Sequence, residues 1–226
     1  MAAPLTPKAR QTREQILETA LALFAAQGYQ QTTLRDIASK AGVSLGLTYR
    51  YFARKEELVA ALYERLTSET EEAVAALPPL PLAARFTRAL RDCLVRLEPH
   101  REALGALFGA GLDTSSEVSV LGEHTTSIRE RVWATYLQVI RGASDAPRAR
   151  QAPQLATLFY ALHLSIVLFW LQDRSPGQQR TQDLLDFAEE QLGRLRFFLI
   201  LPPVSKALTR LAAIMGPMFG PAAPQP

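Results

Sequence analysis

Three consecutive residues, Tyr49, Arg50 and Tyr51, set two phenols and a guanidinium on one short predicted helix, about Leu45 to Phe52. That is more large polar-tipped chemistry than a purely structural element needs. A short helix armed in this way fits the major groove of duplex DNA, where hydrogen-bond donors meet base edges and phosphate oxygens. Catalysis has no comparable constellation. The three histidines, His100, His124 and His163, lie far apart without metal-ligand spacing, and neither a G-x-S-x-G elbow nor an H-E-x-x-H pair is present. The chain is therefore read as a non-enzyme with no cofactor or metal site. His124 and His163 keep two roles, hydrogen bonding to a ligand or sitting satisfied in a core.

The groove-reading helix must be held by its neighbours. Thr33 is a candidate N-cap, and Leu34, Ile37, Ala38 and Ala41 follow at the three-and-four spacing of one buried helical face. Gly42 ends that helix as a C-cap glycine, Val43 is a turn hydrophobe, and Ser44 is the next N-cap. The result is a helix-turn-helix. Upstream, Thr12-Arg-Glu-Gln15 has the form of a capping box, so a supporting helix is predicted from Thr12, with Ile16, Leu17, Ala20, Leu21 and Phe24 buried and Gly28 as the stop. Residues 1–11, with Pro4, Pro7, Lys8 and Arg10, are expected to form a mobile basic arm. Charge follows the same division. Residues 1–55 hold 8 Lys and Arg against 3 Asp and Glu, a balance of +5, whereas the whole chain is only +3. Positive charge beside a groove-reading helix supplies the sequence-independent attraction to phosphates.

From Thr12 to Leu66 the order FAxxGYxxTTLxxIAxxAG, then VSxGxxYxYF, then KEEL, without insertions, resembles the DNA-binding domain of the TetR family of bacterial transcriptional regulators. The resemblance implies a role for each matching residue. Thr33, at the start of the first helix of the motif, would direct its amides and hydroxyl at a phosphate, with Arg35 assisting. Ser44, Tyr49, Tyr51 and Lys55 would hold the DNA backbone. Base reading would fall to Leu45, Gly46, Leu47 and Arg50; Arg50 suits guanine or, equally, a phosphate, and the leucines offer apolar contact such as to a thymine methyl. Many members carry Thr-Leu-Tyr where this chain has Leu47-Thr48-Tyr49. That departure turns leucine toward DNA and threonine toward the core.

Beyond the motif, Lys55 to about Ala76 is a connecting helix, with Glu69, Glu71 and Glu72 expected on a solvated face, before Pro78, Pro79 and Pro81 interrupt the pattern. Every later segment has helical period, so the fold class is all-α: a three-helix N-terminal domain plus a larger helical C-terminal domain. Predicted helices include one through Phe86, Leu90, Cys93, Leu94 and Leu97, one at Arg101 to Ala110, and a long one from Val118 to Arg141. Leu155 to Leu171 is apolar nearly all round but interrupted by Thr157, His163 and Ser165, which favours a buried helix over a membrane span. Thr181 to Leu199 supplies another, and an amphipathic turn or two, Val204 to Met215, precedes a tail from Gly216 expected to be disordered. A lone Cys93 rules out an internal disulfide framework, and with no signal segment the protein is read as cytoplasmic.

Three domains of behaviour are expected: 1–55 for DNA, 56–215 for effector binding and dimerisation, and 216–226 as the tail. The apolar surface of the helices near 155–171 and 181–199 exceeds what one small monomer hides, so a homodimer is expected there. An effector pocket is expected among Phe86, Cys93, Phe108, His124, Ile128, Tyr136, Phe159, Tyr160 and His163, though each also suits core packing. No charged cluster lies on these faces, so the expected effector is a small hydrophobic molecule. Two other classes stay open: a DNA-binding protein without an effector, and a helical enzyme or membrane-associated protein.

Overall fold

A helix persists where one face finds apolar neighbours, and the computed structural model contains ten helices over the residues it describes, 6–111 and 126–221. They are α1 (Pro7–Gln27), α2 (Leu34–Ala41), α3 (Leu45–Tyr51), α4 (Lys55–Ala75), α5 (Leu82–Leu97), α6 (Arg101–Gly111), α7 (Thr126–Arg141), α8 (Ala152–Gln172), α9 (Gln179–Leu195) and α10 (Pro202–Phe219). Short 3₁₀ turns join several of them, and no strand occurs among the described residues. The all-α expectation holds.

The chain divides into two compact units, residues 1–65 with 97–122, and residues 66–96 with 123–226. The boundary expected near residue 55 thus moves ten residues along α4, and α6 joins the first unit. Two contacts explain this. Arg65 pairs with Glu14 and Glu18 of α1, and the Glu102 carboxylate accepts a hydrogen bond from the Tyr29 amide at 2.9 Å.

In the first unit α1 buries Ile16, Leu17, Ala20, Leu21 and Phe24, the stripe its spacing predicts. Its start is different. Thr6 is the N-cap, accepting from the Ala9 amide, and Pro7 opens the helix, so described residues 7–11 are helical rather than a mobile arm. Proline at the first helical position is pre-organised and gives up an amide that has no partner there anyway. Thr12, the expected cap, instead donates its hydroxyl to the Lys8 carbonyl one turn back.

The second unit is built on α8, which packs against both α7 and α10. Phe86, Leu90, Cys93, Leu94 and Leu97 of α5 are buried as their period predicts. Burial pushes the Cys93 thiol up to about 11, so it is a small uncharged core group near neutral pH. Glu71 does not lie on a solvated face. It accepts two hydrogen bonds from the Arg131 guanidinium, at 2.9 and 2.6 Å, and the same guanidinium donates to Ser68. The C-terminal tail also needs correcting. The α10 helix continues through Gly216 and Pro217 to Phe219, because proline near a helix end breaks few bonds and the Phe219 ring meets Tyr160 edge-on at 5.9 Å. The expected start of α7 at Val118 lies outside the described residues.

Candidate nucleic-acid interface

Local capping fixes the helix-turn-helix almost atom by atom. The Thr33 hydroxyl accepts from the Asp36 amide, and the Asp36 carboxylate accepts from the Thr33 amide at 2.9 Å and from its hydroxyl at 2.7 Å. These hydrogen bonds hold the Asp36 carboxyl below the usual carboxylate range. At the other end Gly42 takes a left-handed conformation (φ 67°) that a side chain would disfavour, and its amide and that of Val43 return to α2 carbonyls. Ser44 then caps α3, its hydroxyl oxygen accepting from the Leu47 amide.

Three further side chains aim α3, and none of these roles is read from the sequence, where Gln15 reads as part of a capping box. The Gln15 amide donates to the Ala41 carbonyl at 2.8 Å, tying α1 to the end of α2. Phe52, buried at the end of α3, lies under the Arg13 guanidinium, 4.9 Å from its ring centre. The Thr33-x-x-Asp36 box is legible as a capping pattern; the reach of Arg13 and Gln15 is not, because it depends on how helices pack.

The resulting α3 has two sides. Thr48 is fully buried and donates its hydroxyl to the Ser44 carbonyl, as its exchange with Leu47 predicts. Ser44, Gly46, Tyr49 and Arg50 are exposed, and Leu45, Leu47 and Tyr51 are half-buried, so these residues share the outer surface of one rigid element. Thr33 and Arg35 are exposed at the start of α2. Two expected phosphate ligands are differently engaged. The Thr33 hydroxyl is committed to Asp36, and a carboxylate now sits where the phosphate was expected. The Lys55 ammonium donates to the Tyr29 carbonyl at 2.8 Å and lies 4.5 Å above the Tyr29 ring, bracing the turn before α2. Tyr29 is held in turn by Glu56, whose carboxylate accepts its phenol; burial first, then Glu56, raises the Tyr29 pKa above the usual phenol range.

The second candidate site is divided. Phe86, Tyr136, Phe159, Tyr160 and His163 converge in the second unit, with Phe86 4.5 Å from Phe159 and 5.7 Å from Tyr136 between ring centres. A 2.7 Å hydrogen bond joins the Tyr136 hydroxyl and His163 Nδ1 within this group. Burial lowers the His163 pKa to about 4, so the ring is neutral near pH 7. Cys93 and Ile128 are buried in the same unit. Phe108 is buried in the first unit, and His124 lies outside the described residues. The hollows at 169–180, 148–209 and 82–197 formed by described residues have other linings.

With this geometry in place, comparison decides the family. Residues 16–62 match the model of bacterial regulatory proteins of the tetR family, and residues 85–192 match the tetracyclin repressor-like C-terminal domain. The chain belongs to the TetR family of bacterial transcriptional regulators. It is 28% identical over 173 residues to the transcriptional repressor KstR of Mycolicibacterium smegmatis, covering 74% of this chain and 79% of that one. It is 39% identical over 72 residues to the regulator AcrR of Shigella flexneri, so it spans about a third of the length of that curated relative, 34%, and 32% of itself. A TetR-family regulator from Streptomyces coelicolor shares its fold, with a TM-score of 0.60 over 98% of this chain and 94% of that one at 22% identity. The TetR C-terminal model ends at residue 192, before α10.

Proposed function

We propose that this TetR-family chain is a homodimeric repressor that binds a palindromic operator through α3 and releases it when a small hydrophobic effector enters the second unit. The observation that carries the DNA half is the two-sided α3. Thr48 and Phe52 anchor it, and Leu45, Gly46, Leu47, Tyr49 and Arg50 are left together on its outside. Ser44 and Tyr51 flank them as backbone contacts, with Thr33 and Arg35 serving through the start of α2. Lys55 acts on DNA chiefly by bracing this unit. A footprint on the DNA around the gene should show two half-sites related by two-fold symmetry. Arg50→Ala should relax preference at one position of each half-site by about 1–3 kcal/mol, while Tyr51→Phe weakens all sequences alike. Equal weakening of every sequence by Arg50→Ala would assign Arg50 to phosphate.

Self-association is supported by apolar groups that the second unit leaves in water. Leu168 and Phe169 on α8, Phe187 and Leu195 on α9, and Phe197 and Phe198 beyond it are all exposed. Surface of this kind, repeated on helices near 155–171 and 181–199, suits a two-fold interface of helices from each subunit. Phe187→Glu with Leu195→Glu should give a folded monomer by sedimentation that binds the operator poorly. A wild-type chain that sediments as a monomer at micromolar concentration would contradict the dimer. Dimerisation also suits the exposed stripe of α8, a helix long and apolar enough to cross a membrane by length and composition but mostly buried within its unit.

The effector half rests on Phe86, Tyr136, Phe159, Tyr160 and His163, an apolar cluster with one neutral polar pair, bordered by Cys93 and Ile128. Such a lining orients a neutral molecule through one hydrogen bond. The rings contact one another, so an effector would select a state in which they part, and its differential affinity would set the coupling to DNA. That same ring packing favours a second reading, a TetR-family DNA-binding protein without an effector. Titrating hydrophobic compounds while following operator affinity separates the two: ligands that bind yet leave operator affinity unchanged would support the second.

A further inference from the structure

Within the second unit, Arg148, Arg150 and Lys206 surround a hollow of about 340 Å³ whose lining contains no acidic residue. Among the described residues none of the three cations takes part in an ion pair, whereas Arg91 pairs with Asp186, Arg194 with Glu190 and Arg196 with Asp145. Three unneutralised cations around one concave space repel one another, and the arrangement is stabilised by whatever anion enters.

The walls add the fields of two helices. The first turns of α8 and α10 line the hollow through Gln154 and Ser205, with Gln151 just before α8; Pro153, Pro202 and Pro203 carry no N–H, and the Ala152 and Ser205 amides donate to the Ala149 and Leu201 carbonyls, so these turns contribute their dipoles. Helix N-termini of 21 and 18 residues therefore bring the positive ends of two dipoles to one place. Gln151 donates to the Ser205 hydroxyl at 3.2 Å, the side-chain link between the two helices here. The Gln154 amide oxygen is buried without a hydrogen-bond partner.

We propose that this hollow binds a small soluble oxyanion of two to three negative charges, a phosphate- or carboxylate-bearing metabolite, which bridges Arg148 and Arg150 to Lys206 and holds α10 on α8. The charge matches three cations, and the volume is at the small end of ligand sites. The helix it would clamp is otherwise held mainly by apolar contact, Ala212 being its one fully buried residue and Phe219 resting on Tyr160. The proposal concerns the second unit alone and stands apart from the operator and effector readings above.

The test is thermal unfolding and hydrogen exchange of the full chain titrated with sodium pyrophosphate and with citrate, against sodium chloride at matched ionic strength. Pyrophosphate, citrate or both should raise the melting temperature saturably and slow exchange across residues 202–219. The variant Arg148→Ser with Lys206→Ser should melt where the wild type does without anion, and should bind the active anion at least about tenfold more weakly. A response to pyrophosphate alone assigns a phosphate ligand, and one to citrate alone a carboxylate ligand. The proposal is overturned if chloride gives the same shift, if the double variant responds like the wild type, or if only phosphatidylglycerol vesicles bind.

Discussion

Arg85→Met should lower the stability of the second unit by about 3–5 kcal/mol, a loss of the size expected when buried charge-assisted hydrogen bonds are removed from one side only. Arg85 is buried, yet among the described residues no carboxylate pairs with it. Its guanidinium donates to four backbone carbonyls: Val139 at 3.0 Å, Leu77 at 2.7 Å, Val74 at 3.3 Å, and Pro78. Val74 lies in the last turn of α4, Leu77 and Pro78 follow it, and Val139 lies in the last turn of α7. These carbonyls carry the negative ends of two helix dipoles, and one fixed cation serves both. Removal of water lowers the Arg85 pKa from its usual value, but the group stays charged at any accessible pH. Methionine fills similar space but gives no donor to any of the four carbonyls, although those of Val74 and Pro78 keep the amides of Leu77 and Leu80. Lysine keeps the charge but cannot spread donors over two helix ends, so Arg85→Lys should recover only part of the loss. Urea denaturation reads both variants; a midpoint for Arg85→Met within error of wild type would refute the argument.

Gly142 belongs to the same arrangement. A Cβ placed there would come 2.5 Å from Arg85 Nη2, and the arginine cannot swing away without releasing its carbonyls. Gly142→Ala should therefore cost about 1–3 kcal/mol, the usual range for overpacking. Its signature would be non-additivity with Arg85→Met, since the two changes disturb the same guanidinium.

What was legible in the sequence was what short-range physics settles. Gly42 and Ser44 end and begin helices through hydrogen bonds spanning three to five residues, so their roles follow from their neighbours alone. The buried stripes of α1, α2 and α5 follow from period, and Thr48 turning inward follows from its place beside Leu47. Where two local signals competed, the pattern misled. Thr12-x-x-Gln15 imitates a capping box, while Thr6, six residues earlier, caps the helix that Pro7 opens, and Gln15 serves the end of α2 instead. The stretch from Gly216 suggested a disordered tail, but a proline near the end of α10 costs little once Phe219 has an aromatic partner.

The least legible features join residues far apart in the chain. Arg85 finds Val139 across 54 positions, Arg131 finds Glu71 across 60, and Lys55 finds the Tyr29 carbonyl across 26. Each is a charged side chain whose period places it plausibly at a surface, and only packing supplies its partner. The candidate DNA-reading residues were easier because such residues must face outward from one short helix. The candidate effector residues were harder, since an aromatic residue on a core stripe looks the same whether it packs against another ring or borders a cavity.

Stability should also fall as the pH drops from about 6.5 to about 4, by up to about 3 kcal/mol, through His163 alone. In the folded chain its pKa is lowered from the ordinary 6.5 to about 4 by burial. Between these values the unfolded state binds a proton that the folded state refuses, so protonation pulls the equilibrium toward unfolding. The contribution is complete above pH 6.5 and is lost progressively on acidification. Carboxylates act lower in the scale. Asp173, whose pKa is depressed chiefly by hydrogen bonds from Ser175 and also by those from Thr181, loses its contribution only as pH falls below the ordinary carboxylate value, which separates the two windows. Either tautomer of the neutral ring satisfies the Tyr136 link: with the proton on Nε2 the phenol donates to Nδ1, and with it on Nδ1 the ring donates to the phenol oxygen. Protonation removes the acceptor and places a charge among Phe86, Phe159 and Tyr160. His163→Gln keeps a polar group near Tyr136 without a proton to gain, so its denaturation midpoint should be flat between pH 6.5 and 4.5 where that of the wild type declines. A variant that keeps the wild-type slope would show that another group titrates there.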